Sequence, residues 1–151
     1  MWLPLMLLVA VSGAATLAIE IYPGLIGGAR ESIIVDQRFQ LCGFSQRGNC
    51  VIDGDTIRHD GVKIRIADID TPEISEPKCP SEAALGHRAK ERLLALLNAG
   101  PFEIVSGGSR DLDIHGRKLR ILMRDGQSLG DILIAQGLAR RWDGARRSWC
   151  R

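Results

Sequence analysis

The chain has 151 residues, of which 45% are hydrophobic and 25% charged. That composition fits one globular domain with an N-terminal extension, and it excludes a disordered, collagenous or repeat protein. The net charge of +2 is too small to argue for a polyanionic partner from the total. Charge is instead local: acidic from Asp68 to Glu76, basic at Arg140-Arg141 and from Arg146 to Arg151.

Trp2 to Ile19 contain no ionisable side chain, a run at the lower length limit for crossing a bilayer. Gly13, Ala14, Ala15 and Ala18 supply the small residues of a signal-peptide cleavage site. Against a standard signal, no Lys or Arg precedes the run, and Pro4 interrupts a regular helix. Residues 1–22 therefore read as a signal peptide or a membrane anchor, 23–41 as a connector and 42–151 as the folded domain. Either reading of the first segment puts the domain outside the cytoplasm: secreted, periplasmic, or tethered through residues 2–19. The four cysteines, Cys42, Cys50, Cys79 and Cys150, agree with export, because an even count in a short exported chain signals disulfides. Four cysteines allow three pairings. Cys42 and Cys50 enclose a short glycine-containing loop, so the expected pairs are Cys42–Cys50 and Cys79–Cys150. A four-thiolate zinc site is the competing reading, but the spacings lack close CxxC pairs.

Within the domain, Asp53-Gly54-Asp55 forms a turn-like cluster after Val51-Ile52. Asp60-Gly61 between Thr56–His59 and Val62–Ile66 predicts a β-hairpin. In the second arm Val62, Ile64 and Ile66 share the core face, so Lys63 and Arg65 point out of it. A helix is expected from an N-cap at Ser81 to about Asn98, stopped by Gly100, with Leu85, Ala89, Leu93, Leu96 and Leu97 on its apolar side. Phe102 to Val105 reads as a strand. Leu119, Ile121 and Met123 alternate with basic residues in another. After Asp125-Gly126 comes a short helix over Ser128 to Gln136, ended by Gly137. Short strands with interposed helices indicate an α+β, mainly β, domain around a small barrel.

Five carboxylates, Asp53, Asp55, Asp68, Asp70 and Glu73, lie at or beside strand ends. Brought together they would repel one another unless a cation sat among them, and a hard divalent ion with oxygen ligands is the simple solution. Pro72 stiffens the chain between Asp70 and Glu73. Arg65 stands before this cluster, and Arg117 follows the polar run Asp113-Ile114-His115-Gly116. Guanidinium groups bind phosphate oxygens as a two-pronged fork and keep their charge at any working pH. A base for water, cationic groups for developing charge and help for the leaving oxygen are what phosphodiester cleavage requires.

The string Val51-Ile52-Asp53-Gly54-Asp55-Thr56, then Arg65-Ile66-Ala67-Asp68-Ile69-Asp70-Thr71-Pro72-Glu73, then Asp113-Ile114-His115-Gly116-Arg117 and Gln136-Gly137-Leu138-Ala139, resembles the staphylococcal nuclease (thermonuclease) family over about residues 48–143. The resemblance implies a five-stranded OB-fold barrel with about three helices. It also implies calcium-dependent hydrolysis of DNA and RNA, releasing 3′-phosphorylated products. By it Asp55 and Asp70 are carboxylate ligands of Ca2+, with the backbone carbonyl of Thr71. Glu73 is the general base, Arg65 binds phosphate, and Arg117 also assists the leaving 5′-oxygen. Ile114 and His115 stand where the family's founding member has a basic residue and a tyrosine. Arg140-Arg141-Trp142-Asp143 replaces its base-stacking tyrosines, and the last helix is shortened. His115, Trp142, Arg140 and Arg141 are then the candidates for gripping nucleic acid. The expected protein is a monomeric nuclease. The alternative is a non-catalytic OB-type module that binds nucleic acid or protein, as degenerate relatives of the fold do.

Overall fold

The computed structural model describes residues 32–43 and 48–150; the N-terminal apolar segment and the choice between signal and anchor lie outside them. In chain order the elements are β1 (Ser32–Val35), β2 (Gln40–Leu41), β3 (Cys50–Asp53), β4 (Thr56–His59), β5 (Val62–Ile66), β6 (Ile69–Asp70), α1 (Pro80–Leu97), β7 (Phe102–Ser106), β8 (Lys118–Arg124), β9 (Gln127–Ser128), α2 (Leu129–Ala135) and β10 (Arg140–Arg141). The main sheet runs β1-β7-β8-β5-β4-β3-β2, with β9 beside β8; β6 and β10 form a separate pair. The sheet curls as a half-barrel, consistent with an OB-like fold.

The expected count of five strands and three helices is corrected to ten short strands and two helices among the described residues. Bulges and crossovers cut the barrel strands into pieces, as between Val51 and Asp53. Among the described residues no third helix follows Gly137. The chain pairs as β10 and then turns at Gly144, whose φ of +97° no helix contains.

Asp60 and Gly61 both have positive φ, 46° and 81°, the geometry of the two-residue turn that matches strand twist, and β4 and β5 pair across it as expected. The fold also reaches back into the expected connector. β1 pairs with β7, Phe39 is buried, and Asn98 bonds the Phe39 backbone at both N–H (2.9 Å) and carbonyl (3.0 Å).

Helix α1 starts at Pro80 rather than after a Ser81 cap. Its N-cap is Cys79, which makes no side-chain capping bond. Proline at the first helical position presets φ and removes an amide that would lack a partner. Ala89, Leu93, Leu96 and Leu97 are buried and Leu85 packs against the core, so the apolar face stands. They meet Val51 and Ile57 from the sheet and Leu129 and Leu133 from α2. Each fully buried Leu or Ile contributes about 1.5–3 kcal/mol. In β8 it is Leu122, not Leu119, Ile121 and Met123, that is fully buried. Both disulfides have the expected pairing, Cys42–Cys50 and Cys79–Cys150, which removes the four-thiolate zinc alternative. Cys79, Cys150 and Glu82 do cluster, but both sulfurs are spent in the disulfide.

Candidate active site

Three strand pairings bring the chemical residues together at one end of the sheet. Thr56 pairs with Arg65 across the hairpin, and the Ile66 amide donates to the Asp55 carbonyl at 2.8 Å, so Asp55 sits beside the end of β5. Parallel pairing of Ile64 with Lys118 sets Arg117, just before β8, next to the same strand end. Asp70 is fixed by its pairing with Arg140. Gly54 lets the Asp53–Asp55 turn lie against Thr71: a Cβ there would fall 2.9 Å from the Thr71 hydroxyl.

Arg65 does leave the core face, but it is not solvated. Its side chain is only 8% exposed because it forms an ion pair with Asp55 and lies 3.9 Å from Asp70. Asp55 also accepts from the Thr56 hydroxyl (3.0 Å) and the Thr71 amide (3.3 Å). Arg117 is held by Asp113, which accepts from its Nε at 2.6 Å, and donates through Nη1 to the Thr56 hydroxyl at 3.2 Å. Burial alone would raise the Asp113 carboxyl, but hydrogen bonds from Arg117 and from the His115 amide outweigh it and hold it below the ordinary range. Asp53 is pushed up to about 6, first by burial and then by the neighbouring Asp55 charge. Burial also raises Asp70, against lowering by the Trp149 indole N–H and by Arg146.

Two adjoining cavities border this cluster. The smaller, about 280 Å³, is lined by Asp53, Asp55, Lys63, Thr71, Glu73 and Arg117 among others. The larger, about 470 Å³, is lined by Arg65, Gly107, Gly108, Leu119 and Trp142. His115, Arg117 and Arg146 face both. Five sequence-nominated residues thus converge, Asp55, Arg65, Asp70, Glu73 and Arg117, with His115 and Trp142 at the larger cavity. Ile114, 88% exposed, stands on its lip.

Asp68, Arg140 and Arg141 go elsewhere. Asp68 accepts from the Ser128 hydroxyl at 2.6 Å, and that hydroxyl caps α2 by accepting from the Gly130 amide. Arg141 pairs with Asp131 on α2, and Arg140 stacks 3.7 Å above the Trp149 ring. Neither arginine lines either of these two cavities.

Three residues were not assigned to the site from sequence. Arg146 forms an ion pair with Glu73, Trp149 donates to Asp70 at 3.2 Å, and buried Glu82 accepts from the Lys78 amide (2.7 Å) and the Glu73 amide (3.5 Å), bracing the loop that carries Glu73. The sequence signals for the first two were the basic tail that holds them and the Cys79–Cys150 pairing, which folds the last residues back to that loop.

The donor set suits a hard divalent cation. Asp70 Oδ1 is buried and accepts no hydrogen bond from the described residues, and the Asp55 carboxylate stands within reach of the same arginine. A buried carboxylate oxygen without a donor is costly unless a cation takes it up.

Over 93 residues the chain is 34% identical to Endonuclease YncB of Bacillus subtilis (strain 168), covering 59% of this chain and 44% of that protein. It is 33% identical over 93 residues to the SPbeta prophage-derived endonuclease YokF of the same organism, covering 59% and 31%. The chain therefore matches less than half the length of either relative. The family model described as staphylococcal nuclease homologue matches residues 63–148, more than half of the chain, with Arg65, Asp70, Glu73 and Arg117 inside the match. The chain belongs to the staphylococcal nuclease homologue family.

Proposed function

We propose that this protein is a calcium-dependent nuclease that hydrolyses phosphodiester bonds of DNA, RNA or both in an extracytoplasmic space, leaving 3′-phosphorylated products. The observation that carries the reading is the convergence of Asp55, Glu73, Arg65 and Arg117 on two adjoining cavities, with Asp70 buried 3.9 Å from Arg65 behind them. Family membership and the two endonuclease-named relatives support it.

Asp55, Asp70 and the Thr71 carbonyl would hold calcium, which tolerates irregular oxygen coordination where magnesium demands a near-octahedral shell. When bound, it supplies positive charge to the phosphoryl oxygens and to the attacking water. Glu73, a third exposed at the mouth of the small cavity, takes the proton from that water. Arg65 and Arg117 meet the phosphate oxygens and stabilise the charge that grows on them in the transition state. Arg117 also faces the leaving 5′-oxygen. Its Nε is committed to Asp113 and its Nη1 to the Thr56 hydroxyl, which fixes the plane of the guanidinium and leaves Nη2 for substrate. Trp142 and His115 offer faces on which an unpaired base stacks. The paired cysteines support an oxidising compartment.

The test is digestion of plasmid DNA and of single-stranded RNA by purified protein with calcium, magnesium or chelator, with end-group analysis of the products. Cleavage with calcium, little with magnesium and none in chelator is expected. Full activity in chelator sinks the metal assignment. Binding without cleavage in calcium leaves a nucleic-acid-binding module instead.

A further inference from the structure

The segment after β10 has no regular structure, yet it is fixed at both ends. At its start the Trp142 amide donates to the Asp68 carbonyl at 2.9 Å. At its end Cys150 is bonded to Cys79 at the start of α1, and the Trp149 indole reaches Asp70. Arg140 secures the return, donating to the Ser148 carbonyl at 3.0 Å and covering the Trp149 ring. Between these anchors the chain turns at Gly144 and presents Arg146 at the junction of the two cavities. There Arg146 forms an ion pair with Glu73, and its Nε lies 3.8 Å from Asp70.

We propose that Arg146 is a third phosphate-binding arginine of the site, delivered by a strap that the Cys79–Cys150 disulfide holds in place. The proposal rests on the nuclease reading of the site. Its support is the different commitment of the three guanidinium groups. Arg65 is buried against Asp55, and Arg117 is clamped by Asp113 and Thr56. Arg146 is half exposed, and its partner Glu73 is a third exposed. An ion pair so open to water is weak, so exchanging a carboxylate for a phosphate oxygen costs little. The strap does not need Arg146 for anchorage, since the disulfide, Trp149 and β10 already supply it. The exchange has a chemical consequence. When a substrate phosphate takes Arg146, the Glu73 carboxylate is released toward water, so substrate binding and exposure of the base are coupled.

The experiment uses the full oxidised chain and four variants: Arg146→Ala, Arg146→Lys, the double variant Cys79→Ser with Cys150→Ser, and that double variant combined with Arg146→Ala. Binding of a fluorescent single-stranded DNA 12-mer is followed by anisotropy in chelator over a range of salt, and kcat and KM are measured with calcium. Arg146→Ala is expected to raise Kd and KM about tenfold, with kcat changed less than about threefold. The slope of log binding constant against log salt should fall by about 0.7, the loss of one phosphate contact on a single strand. Arg146→Lys should keep the slope and recover part of the affinity. In the double cysteine variant KM should rise in the same way, and adding Arg146→Ala should then cost little more, since both changes remove one contact. Unchanged Kd and salt slope in Arg146→Ala overturn the proposal, leaving a surface ion pair. A higher kcat/KM in that variant also overturns it, because Arg146 would then shield Glu73 rather than serve substrate. A wild-type protein that binds but does not cleave fails the nuclease reading instead, and the anisotropy series still decides the role of Arg146.

Discussion

Gly86 offers a test in which two physical effects oppose each other. It lies within α1, and helix propensity alone predicts that Gly86→Ala stabilises the protein by about 0.5–1 kcal/mol. The packing predicts the reverse. An added Cβ would fall 2.8 Å from the Pro72 carbonyl oxygen, 2.9 Å from Ile74 Cγ1 and 3.2 Å from the Glu73 carbonyl oxygen. Carbon–oxygen contacts settle at roughly 3.3–3.6 Å and carbon–carbon contacts at roughly 3.5–4.0 Å, so the loop must retreat by about half an ångström. Such overpacking costs about 1–3 kcal/mol, which leaves a net loss of about 0–2 kcal/mol. Turnover should suffer more than stability, because two of the three contacts are backbone atoms on either side of the Pro72–Glu73 bond. A misplacement of about 1 Å can cost 10²-fold in rate, so half of that predicts a kcat about tenfold lower. The assay is kcat on single-stranded DNA with calcium, beside thermal unfolding of the same preparation. A Tm several degrees above wild type with unchanged kcat would refute the reasoning, since the helix would then have room and Glu73 would not depend on this contact.

Glu73→Gln should leave DNA affinity nearly intact and slow turnover by about 10²–10⁴-fold in steady-state kinetics, as loss of a general base does. Arg65→Ala should weaken binding and turnover together with the larger loss in turnover, and Arg65→Lys should restore only part in the same assay, because a point charge cannot reproduce the fork. Removing the Cys79–Cys150 bridge, which spans a sequence separation of 71, should cost up to about 4 kcal/mol in urea unfolding on a chain-entropy basis. Asp113→Asn should cost about 1–2 kcal/mol at neutral pH through the bonds to Arg117 and His115. Because the native Asp113 carboxyl is held below its ordinary value, its stabilisation is present above about pH 4 and fades as pH falls through the lowered value. Urea curves of the two proteins should therefore converge in acid.

What could be read from sequence divides by the range of the interaction that decides it. The Asp60-Gly61 hairpin is a local event, set by two residues that tolerate positive φ, and its register follows from the turn. The apolar face of α1 depends only on helical spacing, so it too was legible, whereas its start was misplaced by two residues, the N-cap being Cys79 and not Ser81. Pro80 and the disulfide at Cys79 decide that start, and Ser81 does not. Asp68 was grouped with the catalytic carboxylates because it neighbours them in sequence. The β6–β10 pairing and the Ser128 cap draw it toward α2 instead, and both contacts are long-range. Arg65 was expected on the outward face and lies there, but strand alternation says nothing of the Asp55 and Asp70 side chains that bury it. Arg140 and Arg141 looked like phosphate ligands by their charge beside Trp142, yet the arginine that the C-terminal segment brings to the cavities is Arg146, placed by a disulfide that closes on residues far back in the chain.

The arrangement of charge explains why these residues fit a catalytic role better than a structural one. A fold selected for stability alone would replace a buried Asp55–Arg65–Asp70 group with apolar side chains of similar volume, which is often neutral or stabilising. Here the group is buried, Asp70 Oδ1 finds no hydrogen-bond donor among the described residues, and Asp53 is pushed up to about 6 by burial and by Asp55. Each of these raises the energy of the protein by itself, and on the proposed reading a divalent cation among the carboxylates and a phosphate between the arginines would relieve them. Positive and negative groups that are imperfectly matched to one another but well matched to a cation and an anion form a preorganised site, in which little reorientation remains when the reaction begins. Asp113 shows the contrasting case. Its carboxylate is fully used by the Arg117 and His115 amides and the Arg117 Nε, and its role is to hold Arg117 still. Asp113 lines the larger cavity beside Arg65 and Arg117, so what separates the scaffold of the site from the part proposed to meet substrate is which hydrogen bonds are already filled, not distance from the cavities.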